Sequence, residues 1–468
     1  MVAALRPEID EVAEVTSVQF GNRGSGGYDI ADYYELTLEV ERALDTADAV
    51  VVTSGTTTMD EIVYWLDLTI QSRKPVVITG AMRPWTVIGS DGQANLFNAI
   101  VLAASGFAEV DEMGEDLQAE LARVIAETGV RVFGPNTTGH VSTPANYTSS
   151  FFPLGQVPRG NVSYITQTGN FCGISLRHIM SAENFGICRS AGLGNKIDVD
   201  ESDLLEYLGN DDETHAVLMY LESIKRPKEF VRIARQVTRH KPVILLKGGS
   251  SDAGAKAAMA HTASLAADDR VLDGALNQAG VTRIYKYSQL FHVAKAVDSM
   301  PPPMGNRVSF LSPSGAFTVC MTDLCRSVGL EVPQIRETTR KRLQEISPPF
   351  IRMRNPVDIF GSVNLHSYEF AYRTAMEAVL EDPNVDAVVA IMLFTDETGA
   401  PPLDFVVDLA GQFPDKPIYI TFMGQHEHNV AAKSFLETRG VPAFMLVEEP
   451  FEVLGILARC RATMGRRR

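Results

Sequence analysis

A single histidine, His261, lies in a run of small side chains at residues 257–266 (AAMAHTASLA). The run follows residues 242–247 (PVILLK), which are typical of a buried strand, and a glycine-serine turn. Ligands of open α/β sheets bind beyond the carboxyl ends of the strands. Because imidazole is largely neutral and nucleophilic near pH 7, His261 is a candidate to accept a phosphoryl group and to pass it on. The alternative is an exposed histidine at the start of a helix.

Two other polar stretches follow predicted strands of the same region. Thr168, Gly169 and Asn170 are predicted to begin a helix, whose free amides and hydroxyl suit phosphate oxygens. Glu222 follows the apolar residues 217–221 (VLMYL). Its carboxylate is a candidate to accept one imidazole N–H, which leaves the other ring nitrogen as the nucleophile. By itself, Glu222 is equally well interpreted as a solvated carboxylate.

Two turns are further candidate ligand sites. One contains Gly194, Asn195 and Lys196, and the other contains Gly134, Pro135 and Asn136. Lys196 is a candidate to bring a cation to the phosphate, with a surface charge as the alternative. The turn at 134–136 either ends a strand or contacts a ligand. Since the carboxyl ends of parallel strands share one edge of a sheet, we expect the loops that carry Thr168, Glu222, His261 and Lys196 to meet.

An internal repeat predicts the elements that position these residues. Residues 160–171 recur as residues 305–317, each as a strand, a hydroxyl-glycine turn and a helix. Strands that alternate with helices favour parallel sheets covered on both faces. We therefore predict an α/β protein of three consecutive parallel-sheet units, a Rossmann-like N-terminal domain and two flavodoxin-like domains. Their predicted bounds are 1–105, with 106–154 completing the first unit, then 155–300 and 304–465.

The two flavodoxin-like copies differ where chemistry is expected. The first carries Glu222 and His261, whereas the second has Phe394 near the place of Glu222. The second copy has His426 and His428 after a strand, but two histidines on a predicted loop are weak support for a metal site. We expect no metal site, and we expect one copy to keep the reaction while the other supports it.

Composition excludes several classes of protein. A net charge of −16 over 468 residues argues against a nucleic-acid surface or binding to an anionic membrane. The five cysteines show no CxxC spacing, so neither a zinc site nor a disulfide framework is indicated. The N-terminus has no basic-then-apolar signal pattern and the apolar runs are of strand length, so we expect a cytoplasmic protein.

The N-terminal part resembles the bacterial-type L-asparaginases, through residues 55–59 (GTTTM), 80–84 (GAMRP) and 91–96 (DGQANL). The resemblance makes Ser25 part of a substrate-binding loop and Thr56 the second catalytic threonine. Thr57 stands where the family has an aspartate that anchors the substrate's amino group. The family's nucleophilic Thr-Gly-Gly-Thr stretch and catalytic lysine have no counterpart here. We therefore expect this segment to be a scaffold rather than a hydrolase.

From about residue 105 onward the sequence resembles the alpha portion of ADP-forming acyl-CoA synthetases, relatives of the succinyl-CoA ligase alpha subunit. The resemblance is carried by residues 105–109, 134–136, 166–169, 193–200, 221–224, 260–265 and 355–358. It implies that His261 is phosphorylated, that Glu222 steadies it, and that acyl-CoA, phosphate and a nucleoside diphosphate become acid, CoA and the triphosphate. CoA and phosphate are then substrates, and we predict no tightly bound cofactor.

Asparaginase-like sequence stands in place of that family's CoA-binding Rossmann domain, and no ATP-grasp domain follows residue 465. We therefore expect ADP or ATP with Mg²⁺ to bind a partner, an ATP-grasp beta-type subunit in a heteromer, with a homo-oligomer as the other possibility. Two alternatives stay open. One is an asparaginase- or glutaminase-like amidohydrolase, and the other is a non-catalytic CoA-binding or hybrid scaffold.

Overall fold

The computed structural model describes residues 13–72, 74–81, 95–96, 112–150, 152, 154–251, 269–395 and 401–464. His261 and most of residues 82–111 lie outside the described residues. The chain divides into two compact units, Met1–Thr128 and Gly129–Arg468. Among the described helices, none has the length and apolar character needed to cross a membrane.

In the first unit, helices pack on a small parallel sheet. Its elements in chain order are α1 (Ile30–Leu44), β1 (Val50–Thr53), α2 (Met59–Thr69), β2 (Val76–Thr79) and α3 (Glu112–Thr128). β1 and β2 pair in parallel. Asp29 and Asp32 form a capping box that satisfies free amides at the start of α1. The apolar stripe of α1 packs against α2, and the core consists of Tyr33, Leu36, Val40, Leu44, Ile62 and Leu66.

The second unit begins with a seven-stranded sheet. Its strands are β3 (His140–Ser142), β4 (Tyr147–Thr148), β5 (Val162–Thr166), β6 (Arg189–Gly192), β7 (Ala216–Leu221), β8 (Val243–Lys247) and β9 (Thr282–Ile284). Between them lie α4 (Leu176–His178), flanked by π-helical turns at Phe171–Ser175 and Ile179–Glu183, then α5 (Glu201–Gly209), α6 (Pro227–Val237) and α7 (Asp269–Ala279). α8 (Gln289–Ser299) follows β9. The strand order is β4-β3-β6-β5-β7-β8-β9, and all pairs from β6 to β9 are parallel.

A five-stranded parallel sheet forms the rest of the second unit. Its strands are β10 (Val308–Ser312), β11 (Val357–Asp358), β12 (Ala387–Phe394), β13 (Ile418–Gly424) and β14 (Ala443–Phe444), in the order β11-β10-β12-β13-β14. Its helices are α9 (Gly315–Ser327), α10 (Glu337–Glu345), α11 (Phe360–Leu365), α12 (Tyr368–Leu380), α13 (Asp404–Gln412), α14 (His426–Glu437) and α15 (Glu449–Thr463).

The strand order confirms the predicted fold class. Numbered along each domain, the parallel strands run 2-1-3-4-5 in both sheets, which is the flavodoxin-like order. Strands such as β5 and β10 are buried along their whole length, because helices cover both faces of each sheet. One apolar core cluster contains side chains of both domains, among them Phe291 of α8 and Phe451 of α15.

Residues 140–148 form a hairpin within the segment 106–154, which we predict to complete the first unit. The structure pairs β3 in antiparallel register with β6, His140 opposite Ala191, and β4 with β3. This hairpin covers the exposed edge of β6, whose backbone groups would otherwise lack partners. The domain bounds as a whole stay a prediction.

Candidate functional site

Gln167 joins three of the predicted loops. It follows β5, it is 4% exposed, and its Oε1 accepts hydrogen bonds from four groups. The donors are the backbone N–H of Glu222 (3.0 Å), the backbone N–H of Ser223 (3.1 Å), Lys196 Nζ (3.0 Å) and, at the longer distance of 3.5 Å, the Ser223 hydroxyl. β6 pairs with one side of β5 and β7 with the other, so successive strands are added on opposite sides of β5. Gln167 therefore lies at the switch point where flavodoxin-like folds bind ligands.

Lys196 is 3% exposed, so its interpretation as a surface charge is wrong. Besides Gln167, its Nζ donates to the Ser223 carbonyl oxygen (2.9 Å) and the Ser223 hydroxyl (3.1 Å). Glu201 Oε2 lies 3.0 Å from Nζ as a charge contact without hydrogen-bond alignment. Burial lowers the pKa of Lys196, and the Glu201 carboxylate opposes that shift. The three donors of the ammonium are thus matched by protein acceptors.

Glu222 follows β7 and is 8% exposed, so it is not the solvated carboxylate of the alternative interpretation. Tyr220 donates its hydroxyl to Glu222 Oε1 (3.2 Å). Burial, together with the Glu222 carboxylate, raises the pKa of Tyr220 to about 12. A Cβ at Gly248 would stand 2.9 Å from the Tyr220 hydroxyl and 3.3 Å from Glu222 Cγ. The chain that leads from β8 toward His261 therefore leaves the sheet beside Glu222.

The predicted helix at Thr168 to Asn170 begins after these residues, as a π turn rather than an α turn. Cys172 has non-helical backbone angles, and its carbonyl oxygen accepts a hydrogen bond from the Ser150 hydroxyl (2.7 Å). Gly169 and Asn170 are exposed, and Thr168 Oγ1 accepts from the Asn170 N–H (3.3 Å). The loop is thus open to solvent directly above the buried Gln167.

The turn at Gly134 to Asn136 packs against the loop at Gly194 to Lys196. The Asn195 N–H donates to the Pro135 carbonyl oxygen (2.9 Å), and Asn136 Nδ2 donates to Asn195 Oδ1 (3.4 Å). Gly134 and Gly194 have φ of +94° and +55°, which glycine adopts without a Cβ clash.

The same turn reaches the other predicted phosphate loop. A Cβ at Gly169 would lie 2.9 Å from Thr138 Cγ2, and Thr137 Oγ1 donates to the Gly192 carbonyl oxygen (2.7 Å). Residues 134–138 therefore lie against the loops that follow β5 and β6. The structure brings these three loops together, while their ligands stay a prediction.

Charged side chains hold these loops in place. Lys225 Nζ donates to the Ile197 carbonyl oxygen (2.6 Å), and the Lys225 N–H donates to Glu201 Oε1 (2.6 Å). Arg226 forms a two-pronged ion pair with Asp200, at 2.6 and 2.8 Å. Because bidentate arginine pairs fix orientation as well as distance, the loop after β7 is tied to the start of α5.

The second domain builds the same fold without these polar groups. Val162 pairs with Ala216 in the first domain as Val308 pairs with Ala387 in the second. Counting along the strands from these pairs, Pro313 takes the place of Gln167, and Leu393, next to Phe394, takes the place of Glu222. The polar cluster is therefore not a requirement of the fold.

The predicted residues of the first unit lie at the carboxyl end of β1 and in a separate turn. Thr56 and Thr57 are exposed just before α2, and the methyl group of Thr56 would lie 3.3 Å from a Cβ at Gly80. Ser25 begins a short 3₁₀ turn, Ser25–Gly27.

The described residues contain no group of three or more histidine, cysteine or acidic side chains arranged to hold a metal ion. His426 and His428 lie in the first turn of α14 rather than on a loop, contrary to the sequence prediction. Two turn-adjacent imidazoles on one helix do not make a metal site by themselves.

Sequence reasoning missed Gln167, Ser223 and Glu201 as members of the site. Gln167 and Ser223 each stand next to a predicted site residue, and Glu201 follows the loop that carries Lys196. Their adjacency to predicted residues was the available signal. A buried amide that bridges two strands depends on register, which local sequence does not reveal.

Three family models match the chain in succession. Residues 1–123 match the N-terminal asparaginase model, residues 159–297 the succinyl-CoA ligase like flavodoxin domain, and residues 308–466 the Ligase-CoA domain. The two predicted resemblances are therefore confirmed, each on its own part of the chain.

Named relatives cover most of the chain. An acetate–CoA ligase [ADP-forming] II of Archaeoglobus fulgidus is 34% identical over 76% of this chain and 52% of its own length, so the chain spans about half of that relative. The alpha subunit of the corresponding enzyme of Pyrococcus furiosus is 32% identical over 75% of this chain and 76% of its own length.

A solved structure agrees with these relatives. The acetyl-coenzyme A synthetase 1 of Ca. Korarchaeum cryptofilum, in complex with phosphate and ADP, is 26% identical with a TM-score of 0.70. The match covers 90% of this chain and 97% of that chain. The chain therefore belongs to the family of the ADP-forming acetate–CoA ligases.

Proposed function

We propose that this chain is the alpha-type part of an NDP-forming acyl-CoA synthetase. The observation that carries the proposal is the meeting of the loops after β5, β6 and β7 at the switch point of the first flavodoxin-like domain. Family membership supplies the reaction class. Because the Pyrococcus furiosus relative is named an alpha subunit, we assign nucleotide and Mg²⁺ binding to an ATP-grasp beta-type partner subunit.

The proposed reaction has three steps. A phosphate oxygen attacks the thioester carbon of acyl-CoA, so the C–S bond breaks, CoA leaves as the thiol, and an acyl phosphate forms. His261 then attacks phosphorus, the bond between phosphorus and the acyl oxygen breaks, and the carboxylate leaves. The phosphohistidine finally gives its phosphoryl group to a nucleoside diphosphate on the partner.

The residues at the switch point have separate roles in this proposal. Thr168, Gly169 and Asn170, with Gly194 and Asn195, offer hydroxyl, amide and backbone N–H groups to phosphate oxygens. Lys196 places a positive charge beneath these loops.

Glu222 accepts one imidazole N–H of His261, which fixes the tautomer and stabilises the charged ring after phosphorylation. Support comes from Gly248, where the chain toward His261 passes beside the Glu222 side chain. The turn at Gly134 to Asn136 faces the acyl and CoA side.

The test is intact mass after incubation with a series of acyl-CoAs and phosphate. The parent is expected to gain one phosphoryl group that is labile in acid. His261→Ala should not gain it, whereas the control His366→Ala, which changes an exposed histidine of the second domain, should gain it fully. Absence of an adduct in the parent, even with ATP and an ATP-grasp partner, would contradict the proposal.

The asparaginase-like match favours amidohydrolysis as a second candidate for residues 1–105. Thr57 in place of the anchoring aspartate argues against it, and we assign the segment a scaffold role. Ammonia release from asparagine that Thr56→Ala abolishes would restore the hydrolase. A folded chain without CoA affinity by calorimetry would instead support a non-catalytic hybrid.

A further inference from the structure

We infer that Lys196 is a positioning residue, which acts through Gln167 and Ser223 rather than by contact with substrate. Its expected effect on phosphorylation kinetics rests on the proposed function, whereas its expected effect on amide exchange does not. We name the cluster of Lys196, Gln167 and Ser223 the polar junction. The junction holds the Glu222 backbone and the phosphate loop at a fixed separation.

The first support is the count of donors and acceptors. Gln167 Oε1 receives the N–H groups of Glu222 and Ser223, and it also receives Lys196 Nζ. The other Nζ donors go to the carbonyl oxygen and hydroxyl of Ser223. An ammonium has three donors, and the junction offers an acceptor for each of them, while Glu201 Oε2, also 3.0 Å from Nζ, balances the charge. A lysine that bound phosphate directly would have to give up one of these bonds.

The second support is the backbone of Lys196. Its φ is +56°, a left-handed conformation that few residues other than glycine adopt. Such strain persists only where the surroundings enforce it. The Lys196 N–H donates to the Leu193 carbonyl oxygen (3.3 Å), and Lys225 Nζ donates to the carbonyl oxygen of Lys196. The backbone is thus held so that the side chain points inward, toward Gln167.

The third support is what the junction connects. Gln167 directly precedes Thr168, and Ser223 directly follows Glu222. A buried lysine with a buried carboxylate beside it is costly to desolvate, and an apolar replacement is often as stable. In the second domain Pro313 stands at the place of Gln167, so the same fold forms there without the acceptor that Lys196 uses. Retention of the charged form in the first domain fits a positioning role at the site.

The test combines amide hydrogen exchange with kinetics. Lys196→Met and Gln167→Leu should both accelerate amide exchange in the peptide that contains residues 222 and 223. Gln167→Leu removes the oxygen that accepts from these two amides, and Lys196→Met removes the ammonium that holds this oxygen in place. Ser223→Ala is a milder variant in case these fail to fold. Gln167→Glu keeps the acceptor oxygen and should preserve protection.

The matched control is Lys416→Met in the second domain. Its Nζ donates to the carbonyl oxygens of Leu380 (2.7 Å) and Asp382 (2.8 Å), so it loses comparable bonds away from the site. Residues 222 and 223 should keep their protection in this control.

In phosphorylation kinetics, misplacement of Glu222 should lower kcat roughly 10- to 100-fold in Lys196→Met. The KM for phosphate should change little, and Gln167→Leu combined with Lys196→Met should cost no more than either alone.

Two results would overturn the inference. One is unchanged exchange at residues 222 and 223 in Lys196→Met. The other is a raised KM for phosphate with unchanged kcat, which would make Lys196 a phosphate ligand. If the parent shows no phosphorylation at all, the proposed function fails, and the exchange experiment alone decides the role of the junction.

Discussion

Gly194→Ala tests whether the close approach of two loops holds the site together. Gly194 has φ of +55°, and a Cβ there would stand 2.0 Å from the Pro135 carbonyl oxygen and 2.7 Å from that of Asn136. Both obstacles are backbone atoms, so no side-chain rotation relieves them. The left-handed conformation costs alanine about 1 kcal/mol, and the displaced loop adds about 1–3 kcal/mol.

Gly329→Ala is the matched control. Gly329 has φ of +83°, but a Cβ there meets nothing within 4 Å. It should therefore lose only about 1 kcal/mol, from the left-handed conformation alone. The difference between the two variants isolates the contact between the loops.

The assay is urea unfolding followed in two ways. Both tryptophans belong to the first unit, so their fluorescence reports that unit, while circular dichroism reports mainly the second. Only the dichroism transition should move to lower urea in Gly194→Ala. Equal losses in Gly194→Ala and Gly329→Ala would refute the reasoning, because the loops would then not be in close contact.

Two further predictions concern the buried charges between the flavodoxin-like domains. Lys295 is 1% exposed and contacts Glu183 (2.7 Å) and Glu437 (2.8 Å). Lys295→Met should cost about 3–5 kcal/mol of unfolding free energy, because the two buried carboxylates are then left to share Lys433 alone, and added Glu437→Gln should recover part of the loss. A loss below about 1 kcal/mol in urea unfolding would contradict this. Burial lowers the pKa of His292 to about 4. Since the unfolded chain binds that proton near pH 6.5, stability should fall as pH drops from about 6.5 to 4, by up to about 3 kcal/mol. His292→Gln should remove this part of the pH dependence, and equal slopes in both proteins would disprove it.

Much of the fold follows from local sequence. Runs such as residues 217–221 are apolar throughout, which is typical of strands buried on both faces. The repeat of 160–171 at 305–317 places equivalent strands in two domains, and the parallel order in both sheets confirms it. The pairing of the hairpin at 140–148 with β6 does not follow from local sequence, since it depends on which sheet edge is free.

The candidate site was only partly predictable. Glu222 and Lys196 were identified from their places after strands, yet each had a solvated alternative that sequence did not exclude. Burial decides this point, and burial depends on helices packed over the loops. Gln167 was not predicted, because its role requires two strands to be neighbours in one register.

The sequence by itself determined the class of fold, the repeat and the types of side chain available for phosphoryl transfer. These depend on periodicity and on chemistry, which short segments carry. Only the tertiary structure decided that the ammonium of Lys196 points into the protein toward Gln167 and Ser223. The physical reason is that hydrogen-bond partners come from strands distant in sequence, and their distances are set by packing of the whole domain.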